Sequence, residues 1–254
     1  MKFGLMYEIQ IPEPHYDGIE QERYKQVMAQ VELADEVGFQ YFWTVEHHFL
    51  REFSHCSAPE VLYGALSQRT KRIRIGHAVT LLPGQYNHPV RVAERAAVLD
   101  IVSDGRMDLG TGRSTTLIEM DGFQVDPEET RAQWEEAVGM IPRMWTEDPF
   151  THEGRFYRIP PRSVIPKPVQ KPHPPLWVVV LLPLAHPIHI AEDIATLDHI
   201  SRGRVEFVVG RGTFPDTRGR GDQRTRGPGS RSEIRQGLKE PLKKPLALAD
   251  GVLG

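Results

Sequence analysis

The sequence predicts a parallel α/β fold, as a barrel or an open sheet, on three observations. The first is residues 72–113, RIRIGHAVTLLPGQYNHPVRVAERAAVLDIVSDGRMDLGTGR. An apolar run there ends in Leu-Leu-Pro, a helix opens at Pro89, and a second short apolar run follows Gly105-Arg106. Strand, crossover helix and strand make the unit from which parallel sheets and barrels are assembled. The second is a shortened return of that stretch over residues 181–212, in which Pro187, Ala191, Glu192, Leu197, Asp198, Gly203, Arg204 and Arg211 repeat Pro89, Ala93, Glu94, Leu99, Asp100, Gly105, Arg106 and Arg113. The third is the length, 254 residues, which suits one (β/α)₈ barrel, an open α/β sheet, or one domain with a tail.

The elements follow in order. Residues 2–9 read as a first strand, apolar enough to be buried on both faces as parallel strands are. Pro12, Pro14, Asp17 and Gly18 make a loop. Over 19–37, Tyr24, Val27, Met28, Val31 and Ala34 recur at helical spacing, and Gly38 supplies the stop. A second strand, 39–45, runs into Glu46-His47-His48-Phe49. A helix over 58–69 carries Pro59 in its first turn. A third strand spans 73–82, a helix 89–102, and a fourth strand 107–111. Residues 114–125 read as a polar loop containing Gly122. Asp126-Pro127-Glu128-Glu129 reads as the start of a helix whose inner stripe is Trp134, Val138, Ile141 and Trp145. Residues 146–175 are proline-rich loop with HEGRFYRI as a short hairpin arm. A fifth strand over 176–182, a helix over 187–200 and a sixth strand over 205–209 complete the pattern. These elements place a barrel domain over 1–213. Residues 214–254, rich in arginine and glycine with no periodic apolar face, read as a poorly ordered tail.

Composition excludes several classes. Apolar content of 39% with 26% charged residues and a net charge of -3 describes an ordinary globule, and nothing global points to nucleic acid or an anionic membrane. The arginines of the tail lack interleaved aromatics for stacking on bases. A lone cysteine, Cys56, rules out an internal disulfide and fits a reducing, cytoplasmic setting. The N-terminus lacks the apolar core of a signal peptide. The most apolar stretch, 176–185, is about half the length a membrane helix needs and contains Pro183, so no span is expected.

In parallel α/β folds, ligands bind beyond the carboxyl ends of the strands. Those ends carry Glu46, His47 and His48; residues 78–80, including Ala78 and Val79; and Gly112, Arg113 and Ser114. Histidine suits proton transfer near neutral pH. Arg113, and Arg131 in the first turn of a helix, suit a phosphate. Plainer readings compete. Histidines at a strand end are often structural. Arg106 reads as half of a structural ion pair with Asp100 or Glu94, since Arg204 has the same pair available. Glu46, His47, His48, His55 and Cys56 are a possible metal set, disfavoured because consecutive strand residues point to opposite faces and no HExxH or paired CxxC spacing occurs. The absence of GxSxG, Walker A and GxGxxG patterns removes support from hydrolase, nucleotidyl and Rossmann readings.

WTVEHHF, IGHAVTLLP, NHPVRVAERAAVLDIVSDGRMDLGTGR and PPLWV, in that order, resemble the bacterial-luciferase-like flavin-dependent monooxygenases. The resemblance covers residues 1–178, with a second family-like segment over 179–213. It implies a TIM-type (β/α)₈ barrel, incomplete here at about six strands, and usually a homodimer. It implies reduced FMN delivered by a separate NAD(P)H-dependent flavin reductase, or in a related branch the deazaflavin F420. The reaction would use O₂ on an aldehyde-like or other small organic substrate. Carried over by position, His47 matches the family's active-site histidine, with Glu46 and His48 beside it. Ala78-Val79 falls where the family has a non-proline cis peptide beneath the flavin ring. Gly112 sits where luciferase has a cysteine near the reactive flavin carbon. Arg113 and Arg131 match the residues that hold the FMN phosphate. One departure stands out: after PPLWV the family's small polar turn is replaced by VVLLPLAHP, a second copy of the third-strand region. A join of two family segments would follow, and with it the rival expectation of a truncated, non-catalytic relative that binds flavin weakly or pairs with a barrel partner.

Overall fold

The computed structural model of the chain describes residues 2–181 and 208–210. The chain runs β1 (Gly4–Tyr7), α1 (Ile19–Val37), β2 (Tyr41–Thr44), α2 (Pro59–Arg69), β3 (Arg74–His77), β4 (Thr80–Leu81), α3 (Pro89–Val102), β5 (Met107–Gly112), α4 (Leu117–Gly122), α5 (Thr130–Thr146), β6 (Phe150–Glu153), β7 (Arg158–Arg162), β8 (Leu176–Leu181) and β9 (Val208–Gly210). The main sheet has the order β1-β2-β3-β5-β8-β9, with β4 pairing β5. The pairs of this sheet are parallel. Among the described residues this is the partial strand set of a (β/α) barrel, as expected. The helix expected over 187–200, most of the sixth strand, and the 214–254 tail lie outside the described residues.

Register explains where the core sits. Tyr7 pairs with Thr44, and Thr44 with His77, so the carboxyl tips of the first three strands lie level. On one face of these strands, Phe42, Thr44 and Ile75 are fully buried beneath the helices. Val27, Val31 and Ala34 of α1, Leu62, Tyr63 and Leu66 of α2, and Ala93, Ala96, Ala97 and Leu99 of α3 supply that cover. Gly38, at φ 94°, ends α1 with its N–H bonded to the carbonyls of Ala34 and Asp35, the stop read from sequence.

Six expectations are corrected. β1 is not buried on both faces: Leu5 and Tyr7 are half-buried against the helices, whereas Met6 on the other face is 58% exposed. It lies at the edge of the described sheet, so no neighbouring strand there encloses it. The expected 73–82 strand is two, because the chain kinks at a cis Ala78-Val79 peptide between β3 and β4. The 114–125 loop contains a helix, α4. Asp126 makes a local turn, accepting the Glu128 N–H at 2.9 Å, and α5 starts only at Thr130. The inner stripe of α5 is consequently rotated: Ala137, Met140, Ile141, Met144 and Trp145 are buried, while Trp134 and Val138 are only partly so. The hairpin arm is present, as antiparallel β6 and β7.

The sixth correction concerns Arg106. It is structural, but its partners are not carboxylates. Its guanidinium donates to the carbonyls of Ser67, Thr70, Ile73 and Ser103 and to the Thr70 hydroxyl, at 2.7–3.1 Å. It thereby collects the carbonyls at the end of α2 and the start of β3. Glu94 pairs with Arg91 on the surface. Asp100, fully buried, instead accepts the N–H groups of Val169 and Gln170 and the Gln170 amide, tying the proline-rich loop to α3. Buried polar groups left unmatched cost about 1–3 kcal/mol each. Arg106→Lys keeps the charge but cannot reach all these acceptors. It should lower unfolding stability by about 2–4 kcal/mol in denaturant titrations; a change under about 0.5 kcal/mol would show that the carbonyl cluster does not need the fork.

Candidate active site

The carboxyl ends of β1 to β5 converge on one group of side chains. His47 follows β2, its backbone N–H held by the Cys56 carbonyl at 2.9 Å. Its Nδ1 lies 2.9 Å from Oε1 of Glu119, a carboxylate only 1% exposed on α4. The same Oε1 accepts the His48 backbone N–H at 2.7 Å. An ionised carboxylate only accepts, so these bonds place the proton of the neutral ring on Nδ1. Nε2 then faces the other way, 3.9 Å from Oε2 of Glu8 just beyond β1. The Phe53 ring packs edge-on against the imidazole, centroids 5.5 Å apart.

Glu46 and His48 sit beside His47 but face elsewhere. Glu46 is buried and accepts the Leu81 N–H at 3.0 Å and the Asn87 amide at 2.7 Å, while Nε2 of His48 lies 3.3 Å from its Oε1. Arg95 continues inward from Asn87, bonding its side-chain oxygen and pairing with Glu60. Glu46 is thus the strut between β2 and β4. The His48 ring stacks on Tyr86 at 6.3 Å and meets Phe123 edge-on at 4.8 Å. The Tyr86 hydroxyl, its pKa pushed up to about 12 by burial, donates to the Ser114 hydroxyl at 3.3 Å. Through that contact the histidine pair and the Arg113 loop share one end of the sheet.

Ala78 and Val79 form a shelf against β5. The fit requires glycine opposite: a Cβ at Gly110 would stand 2.0 Å from the His77 carbonyl oxygen, and one at Gly112 2.4 Å from Val79. Arg113 leaves β5 with an exposed guanidinium, Nη1 3.5 Å from the hydroxyl of Thr130, the first residue of α5. No side chain caps that helix at Glu129. The Thr130 hydroxyl itself donates to the Pro127 carbonyl at 3.0 Å, so Arg113 and the first-turn N–H groups of α5 form the donor set suited to a phosphate. Arg131 is less well placed. It lies in the first turn of α5, but its guanidinium pairs with Glu135 at 2.8 Å and is 76% exposed on the helix flank. Among the described residues, no group of three or more histidine, cysteine, aspartate or glutamate side chains could hold a metal ion. No helix there is long and apolar enough to cross a membrane.

Sequence reasoning missed Glu119 by taking 114–125 for loop. A signal was present: Thr116 followed by Glu119 is the spacing of a capping box. In the structure the Thr116 side chain makes no cap bond, and the glutamate serves the histidines.

The sequence profile of the luciferase-like monooxygenases matches residues 1–179 and again residues 178–240. The chain belongs to that family. The oxygenase component of a flavin-dependent trigonelline monooxygenase from Acinetobacter baylyi is 29% identical over 192 residues, 74% of this chain and 52% of that protein. Limonene 1,2-monooxygenase from Rhodococcus erythropolis is 36% identical over 146 residues, 55% of this chain and 37% of that one. Among solved structures, the monooxygenase RslO1 from Streptomyces bottropensis superposes with TM-score 0.66 at 32% identity, covering 71% of this chain and 54% of its own. The chain spans about half the length of the curated relatives it matches.

His77, buried behind the site with Nδ1 2.7 Å from the Thr80 hydroxyl, has its pKa lowered to about 3, first by burial and then by the Arg95 charge. Its folded pKa thus lies below the unfolded value, so the unfolded chain binds the extra proton. The neutral ring's contribution is complete above roughly pH 6.5 and is lost as pH falls toward 3. Wild-type stability should decline on this account by about 1.4 kcal/mol per pH unit through that window, and His77→Gln should flatten the slope. Equal slopes in the two proteins would show that His77 is not what acid attacks.

Proposed function

We propose that the chain is an FMNH₂-dependent monooxygenase acting with O₂ on an aldehyde-like or other small organic substrate. The observation that carries the reading is the convergence, at one end of the sheet, of a histidine fixed by a buried carboxylate with an arginine beside a helix N-terminus. The trigonelline relative is itself named a flavin-dependent oxygenase component, which supports both the cofactor and a separate NAD(P)H-dependent reductase as its supplier.

The residues fit the cofactor in a definite way. Gly110 and Gly112 let Ala78-Val79 lie flat against β5, leaving a shelf that a planar ring can cover. Arg113 and the N–H groups at the head of α5 would hold the phosphate; Arg131 would join them by giving up Glu135. Reduced flavin supplies the two electrons that let one oxygen atom enter the substrate while the other leaves as water. The chain's part is to orient and to handle protons. Glu119 fixes the His47 ring through Nδ1, and Nε2, on the side of Glu8, would hold or move a proton. Glu46 holds the shelf's far end through the Leu81 N–H. The aromatic group of His48, Tyr86 and Phe123 excludes water from the side of the site.

A homodimer is the assembly we propose. Val61 on α2 and Val98, Ile101 and Val102 on α3 are exposed, at 72%, 46%, 38% and 41%, on neighbouring helices, and a second copy would cover them. Sedimentation should show a dimer that Val61→Lys with Val98→Lys dissociates; a monomeric wild-type protein rules it out.

Anaerobic titration with FMNH₂ tests the main reading. Saturable binding is expected, weakened about ten- to a hundred-fold by Arg113→Ala. His47→Ala should slow product formation about a hundred-fold while changing flavin affinity little, and Glu119→Gln should fall between. Reduced F420 in competition should bind more weakly; preference for F420 would turn the reaction into hydride transfer, and binding of neither cofactor would end the proposal.

A further inference from the structure

Glu8 has no part in the scheme above, yet its surroundings are unusual. Strand alternation puts it on the face opposite Leu5 and Tyr7, the two β1 residues that pack toward the helices. It stands one residue past the level tips of β1 and β2. Its Oε2 is buried, has no hydrogen-bond partner, and lies 3.9 Å from Nε2 of His47. The side chain as a whole retains 27% exposure. A buried carboxyl oxygen without a donor is costly as an anion and comfortable as an acid. Burial indeed raises the Glu8 pKa, and the charge of His47 works against that rise.

His47 therefore lies between two carboxyls of different kinds. Oε1 of Glu119 takes two donors, the Nδ1–H of His47 and the His48 backbone N–H. It orients the ring. Glu8, on the Nε2 side, has an oxygen with capacity to spare and a connection to solvent. We propose that Glu8 is a positioning and proton-exchanging residue for His47, resupplying or accepting the Nε2 proton during turnover. The step balances simply. After the imidazolium has given its Nε2 proton to a group bound in the site, leaving the neutral ring with its Nδ1–H on Glu119, the carboxylic acid O–H of Glu8 breaks and a new Nε2–H bond restores the imidazolium. Glu8 is left as carboxylate and regains its proton from water. In the reverse sense, Glu8 takes the proton from imidazolium. This role rests on the oxygenase reading, but the coupling of the two groups belongs to the free protein and is measurable without flavin.

Among the described residues, Glu119 from α4, Glu8 just beyond β1 and the uncharged Phe53 ring are among the groups that face the His47 ring, and two variants separate the effects of the two carboxyls. Nuclear magnetic resonance titration of ¹⁵N-histidine and ¹³C-carboxyl glutamate in the flavin-free full chain is the test. In the wild type, Glu8 and His47 should titrate as a linked pair, with biphasic curves sharing their inflections. Glu8→Gln keeps the shape and should lower the His47 midpoint by about one pH unit. Glu8→Asp, which withdraws the carboxyl by one methylene, should give a smaller fall and serves if the glutamine variant misfolds. Glu119→Gln should instead disturb the Nδ1–H resonance. In turnover assays, Glu8→Gln should move the acid limb of the kcat/KM profile in step with the His47 midpoint. An unchanged His47 curve in both Glu8 variants overturns the proposal, whatever flavin titration shows. Failure to bind reduced flavin with coupling intact would overturn the oxygenase reading and, with it, the turnover role of Glu8.

Discussion

One buried carboxylate decides how the site is assembled. Glu119 is almost wholly removed from water, and an anion in that position survives only if donors surround it. It finds them on the loop after β2, in the His47 ring and the His48 backbone. That requirement pins α4, which has too few residues to be stable alone, onto a strand end far away in sequence. It also sets which ring nitrogen of His47 carries the proton and which faces Glu8. Removing the carboxylate would free two loops at once, and the site's geometry depends on both.

The scaffold beneath uses the same device. Asp35 accepts the N–H groups of Lys71, Arg72 and Ile73; burial opposes its charge, and those backbone bonds outweigh it and lower its pKa. Asp100 likewise accepts the N–H groups of Val169 and Gln170, and the Arg106 guanidinium donates to four carbonyls. Each charge closes a loop against the end of a helix or strand. The strand tips thereby stay level, which is what lets residues from β1, β2, β4 and β5 act together.

Much of this was legible in the residues. Helical spacing marked α1, because burial on one face imposes that period; prolines in the first turn marked α2 and α3, and apolar runs between Gly and Pro marked the strands. Strand ends then gave His47, Ala78-Val79 and Arg113 without any coordinates. The rest was hidden for physical reasons. Nothing in an apolar run such as 73–82 announces a break, so the split into β3 and β4 was invisible except through resemblance. A helix of one and a half turns like α4 has no period to read. The partners of Arg106 are backbone carbonyls, anonymous in sequence, whereas carboxylates such as Asp100 attract a pairing they do not make. Exposure of Met6 depends on what stands beside β1, which no property of β1 encodes.

In the proposed site, Glu119-held His47 and Arg113 would frame one flavin. A crystal structure of the protein with reduced FMN, prepared without oxygen, is the decisive test. The phosphate is expected bonded to Arg113 and the head of α5, and the ring system over Ala78-Val79 within contact of His47. Flavin density elsewhere on the sheet, or a phosphate held without Arg113, would contradict it.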